Sequence, residues 1–235
     1  MKLGVNIDHI ATLRNARGGV EPNLVEAAKI ILKEDILALT MHLREDRRHI
    51  KDKDLYDVKK LGAKINLEMA ATKEIQEIAL DVVPYSVCLV PERRQEVTTE
   101  GGLDVFSKKE ELKEFIKPLK EKGIIVSMFI DPVEKQVEAS KYVGADYIEM
   151  HTGSFSNAFL KGNYKEEFNK LATAAEFAQS IGLKVNAGHG LNYENVYLMK
   201  EIKGISELNI GHSIISRAIF VGVQKAVVEM IDMIK

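Results

Sequence analysis

One cysteine, Cys88, serves the whole 235-residue chain, so no intrachain disulfide can form and no cysteine-built metal cage is available. It lies in the apolar run Val87-Cys88-Leu89-Val90 and reads as a small core residue. No apolar stretch approaches membrane-spanning length, and Asn6, Asp8, His9 and Arg14 stand where a secretory signal would need unbroken apolar residues. The expectation is a cytoplasmic protein with no membrane partner. An excess of one sign of charge is also missing: 33 Lys and Arg face 35 Asp and Glu, a formal net charge of −2. Near-neutrality gives no whole-molecule attraction to nucleic acid or anionic lipid, so no nucleic-acid partner is expected and any anion site must be a local cluster. Disorder is excluded by a composition that is 46% hydrophobic and 29% charged, ordinary for a soluble globular chain.

One local cluster is present. His42-Leu43-Arg44-Glu45-Asp46-Arg47-Arg48-His49 sets three arginines and two histidines directly after the apolar run 36–41. Fixed cations beside titratable imidazoles suit a phosphorylated metabolite whose protons must be moved. Taken alone, the stretch reads equally well as a solvated turn whose arginines pair with its own acids.

The arrangement around it repeats along the chain. Short apolar strands are expected at 3–7, 36–41, 64–68, 85–90, 124–130, 146–150, 183–187 and 208–210. Helices are expected at 22–33, 53–61, 72–80, 108–122, 133–143, 164–181, 192–202 and from 212 towards 233, with Pro118 kinking or bounding the fourth of them. Residues 8–21, 91–107 and 154–163 read as loops. Eight such units indicate an α/β fold with an all-parallel sheet, and at this length a (β/α)8 TIM barrel occupying 1–235 as one catalytic domain. An open doubly wound sheet is the runner-up, but no Gly-x-Gly-x-x-Gly turn follows the first strand.

In a barrel the chemistry sits at the C-terminal ends of the strands. All six histidines, His9, His42, His49, His151, His189 and His212, fall at or just past an expected strand end, and Glu68 and Glu149 end the third and sixth strands. Glu68, between Leu67 and Met69, is a carboxyl in apolar company whose proton affinity is raised; its bland alternative is a buried partner for a rim arginine. Gly188-His189-Gly190 and Gly211-His212 follow the seventh and eighth strands, where backbone N–H groups commonly bind phosphate. Arg44 and His49, with Thr98, make a candidate second anion site. No His-x-His or His-Glu-x-x-His spacing supports a metal, and Lys64 and Lys184 stand at strand starts, the wrong end for a Schiff base. The chemistry left is acid–base work by His and Glu. A phosphosugar isomerase or aldolase on the same barrel and a non-catalytic sensor of a phosphorylated metabolite are the rivals.

Longer motifs sharpen this reading. Asn6-Ile7-Asp8-His9-Ile10-Ala11-Thr12-Leu13-Arg14, the stretch 42–50, Asn66-Leu67-Glu68-Met69 and Val90-Pro91-Glu92 resemble the pyridoxine 5′-phosphate synthase family. So do the stretch 94–102, Val185-Asn186-Ala187-Gly188-His189-Gly190-Leu191 and Glu207-Leu208-Asn209-Ile210-Gly211-His212. The resemblance implies a (β/α)8 enzyme of vitamin B6 biosynthesis that condenses 1-deoxy-D-xylulose 5-phosphate with 3-amino-2-oxopropyl phosphate, releasing phosphate and water. It further implies a homo-oligomer, octameric in the family, and no cofactor. By the same resemblance His42 and Glu68 act as general bases, His189 as general acid, and Glu149 stabilises a transition state. Asn6, Arg17, Gly190, Gly211 and His212 would bind the aminoketone phosphate; Asp8, His9, Arg44, His49 and Thr98 would bind the deoxyxylulose phosphate. The loop 91–107 is expected to act as a lid that shields reactive intermediates from water.

Overall fold

The computed structural model describes residues 1–92, 96, 98 and 101–235. Eight strands run in chain order: β1 (Lys2–Asn6), β2 (Ala38–His42), β3 (Ile65–Met69), β4 (Ser86–Leu89), β5 (Ile125–Ile130), β6 (Tyr147–His151), β7 (Lys184–Gly188) and β8 (Ile205–Ile210). Each pairs in parallel with the next and β8 closes on β1, with Val5 opposite Ile210, so the expected barrel is the observed one. Helices α1 (Asp8–Arg17), α2 (Leu24–Ile31), α3 (Asp52–Lys59), α4 (Lys73–Val82) and α5 (Lys109–Glu121) belong to the first half. Helices α6 (Glu134–Val143), α7 (Gly153–Leu160), α8 (Lys165–Ser180), α9 (His212–Val221) and α10 (Val223–Ile234) belong to the second. Among the described residues, no helix is long and apolar enough to cross a membrane.

The period of two along a strand divides the residues sharply. One face carries Leu3 and Val5, Leu39 and Met41, Leu67 and Met69, Val87 and Leu89, Met128 and Ile130, all fully or almost fully buried beneath the helices. The helices answer at turn spacing, with Leu24, Ala28 and Ile31 of α2, Ile75, Ala79 and Val82 of α4, and Leu112, Ile116 and Leu119 of α5. The other face points along the barrel axis and is polar: Asn6, Thr40, Asn66, Ser86, Cys88, Ser127, Glu149, Asn186, Glu207 and Asn209. These residues meet across the interior, as in Thr40 Oγ1 to Asn209 Oδ1 at 3.1 Å, Ser86 Oγ to Asn66 Oδ1 at 2.9 Å, and Asn186 Nδ2 to Glu207 Oε2 at 3.3 Å.

Four local readings are corrected. The first half of the expected loop 8–21 is helix α1, anchored by buried Ile10 and Ala11, ended by Gly18 at φ 64°, and pinned by the bidentate Arg14–Asp54 pair at 2.6 and 2.8 Å. The expected loop 154–163 is mostly helix α7, whose Ser, Gly and Asn content is overridden by Phe155 packing among Phe159, Tyr164 and Phe168. The last helix is two, broken at Gly222 with φ 82° and ψ 151°. The stretch 192–202 holds only a short 3-10 helix, Val196–Glu201. Pro118 falls in the final turn of α5, which ends three residues later.

Gly4 lies where the axis is most crowded: a Cβ there would collide with Asn209 Oδ1 and Glu207 Oε1. Gly4→Ala is expected to lower the unfolding free energy by about 1–3 kcal/mol, as overpacking does. Urea midpoints check it, and a loss below about 0.5 kcal/mol would show that the axis has room to spare.

Candidate active site

At the C-terminal ends of the strands a cavity of about 810 Å³ opens, and five of the six histidines, His9, His42, His151, His189 and His212, form its wall with Arg44, Glu68 and Glu149. The expectation that strand-end residues converge therefore holds for most of them. The sixth, His49, stands just behind, its ring centre 6.1 Å from that of His9 and its Nδ1 2.7 Å from Thr12 Oγ1. Lys64 and Lys184 lie at the opposite end, over the rings of Tyr85 and Tyr147.

His42, the last residue of β2, is held from three sides. Its backbone N–H donates to Asp8 Oδ1 at 2.9 Å, its Nε2 lies 2.9 Å from Glu92 Oε1, and its Nδ1 faces Glu68 Oε2 at 3.8 Å. Burial pushes the Glu92 carboxyl up, but the bonds from His42 and the Glu45 N–H, together with Arg44, outweigh it and hold it below the usual carboxylate range. An ionised Glu92 fixes the hydrogen of His42 on Nε2 and leaves the Nδ1 lone pair towards Glu68. The Glu68 carboxyl itself is pushed well above the usual range, by burial first and by Glu149 and Asp8 second. Glu68, with its proton affinity raised, thus faces an imidazole nitrogen whose lone pair is open, the arrangement of a two-group acid–base pair.

Glu149, in the middle of β6, is 2% exposed and accepts hydrogen bonds from Asn209 Nδ2 and, at 3.8 Å, from Cys88 Sγ. Burial raises it to about 7 against the pull of those two donors. Asp8 is raised to about 6 by burial, opposed chiefly by His42. In the other direction, His9 is held below the ordinary imidazole range by burial, His212 and His49, and His189 by burial and His151. Burial thus moves the carboxyls up and the imidazoles down, which narrows the gap between the two kinds of group and eases proton passage between them.

The β7 and β8 side is built from glycines. His189 has φ 77°, a left-handed backbone that a non-glycine residue adopts only under surrounding constraint, and the Thr152 hydroxyl sits 2.6 Å from its carbonyl oxygen. Gly190 at φ 86° leaves the room that a Cβ would take from Ser156, 2.9 Å away, and Gly211 leaves that beside Asn6 Cβ at 2.8 Å. Gly211 is also the N-cap of α9, so Gly190, Gly211, His212 and Ser213 line the pocket at a helix N-terminus, the geometry expected for an anion.

Asp8, His42 and Glu68 bring three donor atoms within 4.8 Å of one another, the one such group among the described residues. A divalent cation is the alternative use of that cluster. Asp8 and Glu68 already accept from Asn6 Nδ2, at 3.1 and 3.4 Å, and a cation would have to displace those bonds.

The family model for the pyridoxal phosphate biosynthesis protein PdxJ matches residues 3–235. The chain belongs to the PdxJ family. It is 54% identical over 238 residues to the pyridoxine 5′-phosphate synthase of Sulfurihydrogenibium sp. strain YO3AOP1, covering 100% of this chain and 98% of that one. It is 53% identical over 241 residues to the pyridoxine 5′-phosphate synthase of Aquifex aeolicus strain VF5, with both chains covered in full. Among solved structures, 3-keto-L-gulonate-6-phosphate decarboxylase from Vibrio cholerae superposes with a TM-score of 0.66 at 11% identity, covering 99% of this chain and 96% of that one, a likeness of fold.

Within this PdxJ chain the charged stretch divides by role. Arg47 pairs with Asp52 and Glu74, and Arg48 with Asp46, as a solvated turn would, while His42 and Arg44 reach the pocket. Arg17 lies exposed in the last turn of α1, outside the pocket wall. Thr98 is found with Asp131, to which its hydroxyl donates, and within 3.2 Å of Gly102 O. Of the stretch 91–107, Arg93, Arg94 and Thr99 lie outside the described residues, as does part of the expected lid; the described Leu103 is buried and its N–H donates to Phe129 O of β5 at 2.8 Å. Glu92, Asp131 and Asn209 have no role assigned by sequence alone, although Asp131 follows Ile130 at a strand end and the rule that finds Glu68 would find it too.

Glu207, deeper on the axis, is raised to about 8 by burial, with Glu149 adding to it. A folded value above the ordinary 4.5 means that the native state binds the extra proton, so stability is highest below about 4.5, falls as pH rises to about 8 and is level beyond. Glu207→Gln is expected to stabilise the protein by about 1–3 kcal/mol at pH 8 and by little at pH 4.5. Urea unfolding across that range checks it; an unchanged slope with pH would mean that Glu207 is ionised in the fold.

Proposed function

We propose that this chain is a pyridoxine 5′-phosphate synthase, closing the pyridine ring from 1-deoxy-D-xylulose 5-phosphate and 3-amino-2-oxopropyl phosphate with release of phosphate and water. The observation that carries the proposal is the gathering, in one pocket, of His42, Glu68, Glu149 and His189 between two anion-holding sides. On one side stand Gly190, Gly211 and His212, with Asn6; on the other stands Arg44, with His49 behind it. Two phosphorylated substrates need two such sides, whereas an isomerase or aldolase of one phosphosugar needs one.

Imine formation, phosphate elimination, water addition, ring closure and dehydration each move a proton, so several groups titrating near neutrality serve better than one strong base. His42 with Nδ1 open and Glu68 beside it take protons; His189, in the opposite wall, returns one to the leaving oxygen. Glu149, held by Asn209 and Cys88, offers a carboxyl that stabilises positive charge when ionised and donates when neutral. The reading includes a cytoplasmic setting and no bound cofactor.

Single-turnover mixing with both substrates and a chelator, following ring absorbance and phosphate release, tests the reaction. Ring formation that requires both substrates and survives the chelator is expected, and Glu68→Gln should bind both while turning over about 100-fold or more slowly. Phosphate release without ring closure would leave only the elimination half-reaction standing, and no reaction at all would favour the sensor.

We also propose a homo-oligomer, an octamer as the resemblance implies. Leu13, Val20, Ile219 and Phe220 stand exposed on α1, the turn after it and α9, two helices that touch. Large apolar side chains grouped on one face favour a covering partner, and a second copy of the chain supplies it. Sedimentation should give a single assembled species; a monomer at micromolar concentration would remove the proposal.

A further inference from the structure

His151, the last residue of β6, stands in the pocket wall with no role in the reaction as proposed. Its Nδ1 lies 3.2 Å from Oδ1 of Asp131, which follows β5 and is 2% exposed. Asp131 also accepts from the Thr98 hydroxyl and, at 3.1 Å, from the Gly102 N–H, so three donors surround one carboxylate. That arrangement turns the Nδ1 hydrogen of His151 towards Asp131 and Nε2 away from it.

The space around the ring is carved by glycines. A Cβ on Gly153 would stand 2.6 Å from His151 Nε2 and 3.3 Å from His189 Cδ2, and one on Gly101 would stand 3.0 Å from His151 Cε1. The ring centres of His151 and His189 are 5.0 Å apart, and Phe129 turns its edge to both, at 5.2 and 6.3 Å. The two imidazoles therefore share one half-dry niche, with a carboxylate on the far side of one of them.

We infer that Asp131 and His151 are a positioning pair for His189, holding its ring in the pocket wall and setting, through the charge on His151, how readily His189 parts with its proton. The inference rests on His189 as the acid of the proposed reaction. Charges about 5 Å apart displace each other's titration by between about 0.5 and 2 pH units, depending on how much water lies between them. The direction agrees with the lowered proton affinity of His189, for which burial comes first and His151 second. Besides Asp131 after β5, the charged or titratable groups in the same pocket wall among the described residues are Glu149, two residues earlier on β6, His42, Glu68, Arg44, His9 and His212. Helix α7 presents Gly153 and Ser156 to the niche, and the segment after β4 presents Thr98 and Gly101, none of which titrates.

Histidine-labelled NMR titration of the whole protein reads both rings without turnover. In the wild type each ring is expected to show two inflections, its own and its neighbour's. In His151→Gln the His189 midpoint should rise by about 0.5–2 units. A His189 midpoint in His151→Gln within about 0.2 units of the wild type overturns the inference. Where His151→Gln does not fold, the wild-type curves decide, since two independent single-step titrations overturn it as well. In kinetics, His151→Gln should move the alkaline limb of the kcat profile to higher pH by the same amount, lower kcat, and leave both KM values within about twofold. Full turnover in His189→Gln would instead fail the assignment of His189 as the acid, and the ring titrations would then decide by themselves whether the two imidazoles are coupled.

Discussion

A carboxyl group buried on the axis of the barrel is the constraint to which the rest of this structure answers. Glu149 is 2% exposed, and an ionised carboxylate in such a place is expensive unless neighbours donate to it. Asn209 donates, Thr40 donates in turn to Asn209 Oδ1, and so the amide is oriented with its NH2 towards Glu149. Space is the second demand. A Cβ on Gly188 would stand 2.5 Å from Glu149 Oε1, so β7 must carry a glycine at that level. The donors do not fully offset burial, and the remaining imbalance appears as a proton affinity raised to neutrality. Reactive character at the rim is thus a consequence of what the axis refuses to ionise.

The polar axis also moves the stabilising work outward. A (β/α)8 barrel usually fills its interior with bulky branched side chains. Here Asn66, Ser86, Ser127, Asn186 and Glu207 take those places, and among the described residues Asn186 Oδ1 and Glu207 Oε1 have no hydrogen-bond partner. The proton affinity of Glu207 is raised there by burial first and by Glu149 second. Cohesion then comes from the layer between sheet and helices, where the other face of every strand is apolar and dry. The division has a use: a polar interior beneath the site allows carboxyls to sit below the rim without facing a hydrocarbon floor.

Much of this was legible in the chain. Eight apolar segments alternating with helical periodicity determine a parallel barrel, and the barrel rule then places six histidines and two glutamates at one end, five of the histidines in one cavity. What escaped was of two kinds. Helices α1 and α7 lack strong amphipathic spacing and are made helical by contacts far along the chain, Arg14 with Asp54 and Phe155 with Phe168. The partners of the histidines escaped because a hydrogen bond such as His42 to Glu92 joins residues 50 apart, and nothing local in either stretch announces it. The motifs that carry the resemblance contain Glu92 and Asn209, yet a motif says that residues belong together without saying which touches which.

The histidines separate into two groups by what stands behind them. His42 and His151 each have a carboxylate, Glu92 and Asp131, on one ring nitrogen. Such a partner fixes the tautomer and aims the other ring nitrogen into the pocket. Among the described residues His9 and His49 have none; His49 faces a threonine hydroxyl and His9 Nδ1 has no hydrogen-bond partner. Both are held below the ordinary imidazole range, burial coming first in each case, with nearby cationic groups adding to it. Arg44 supplies the permanent charge on their side of the pocket. Under the proposed function a phosphate dianion arriving there would favour the charged form of both rings against the pull of the neighbouring cations, so that substrate binding and proton uptake would go together.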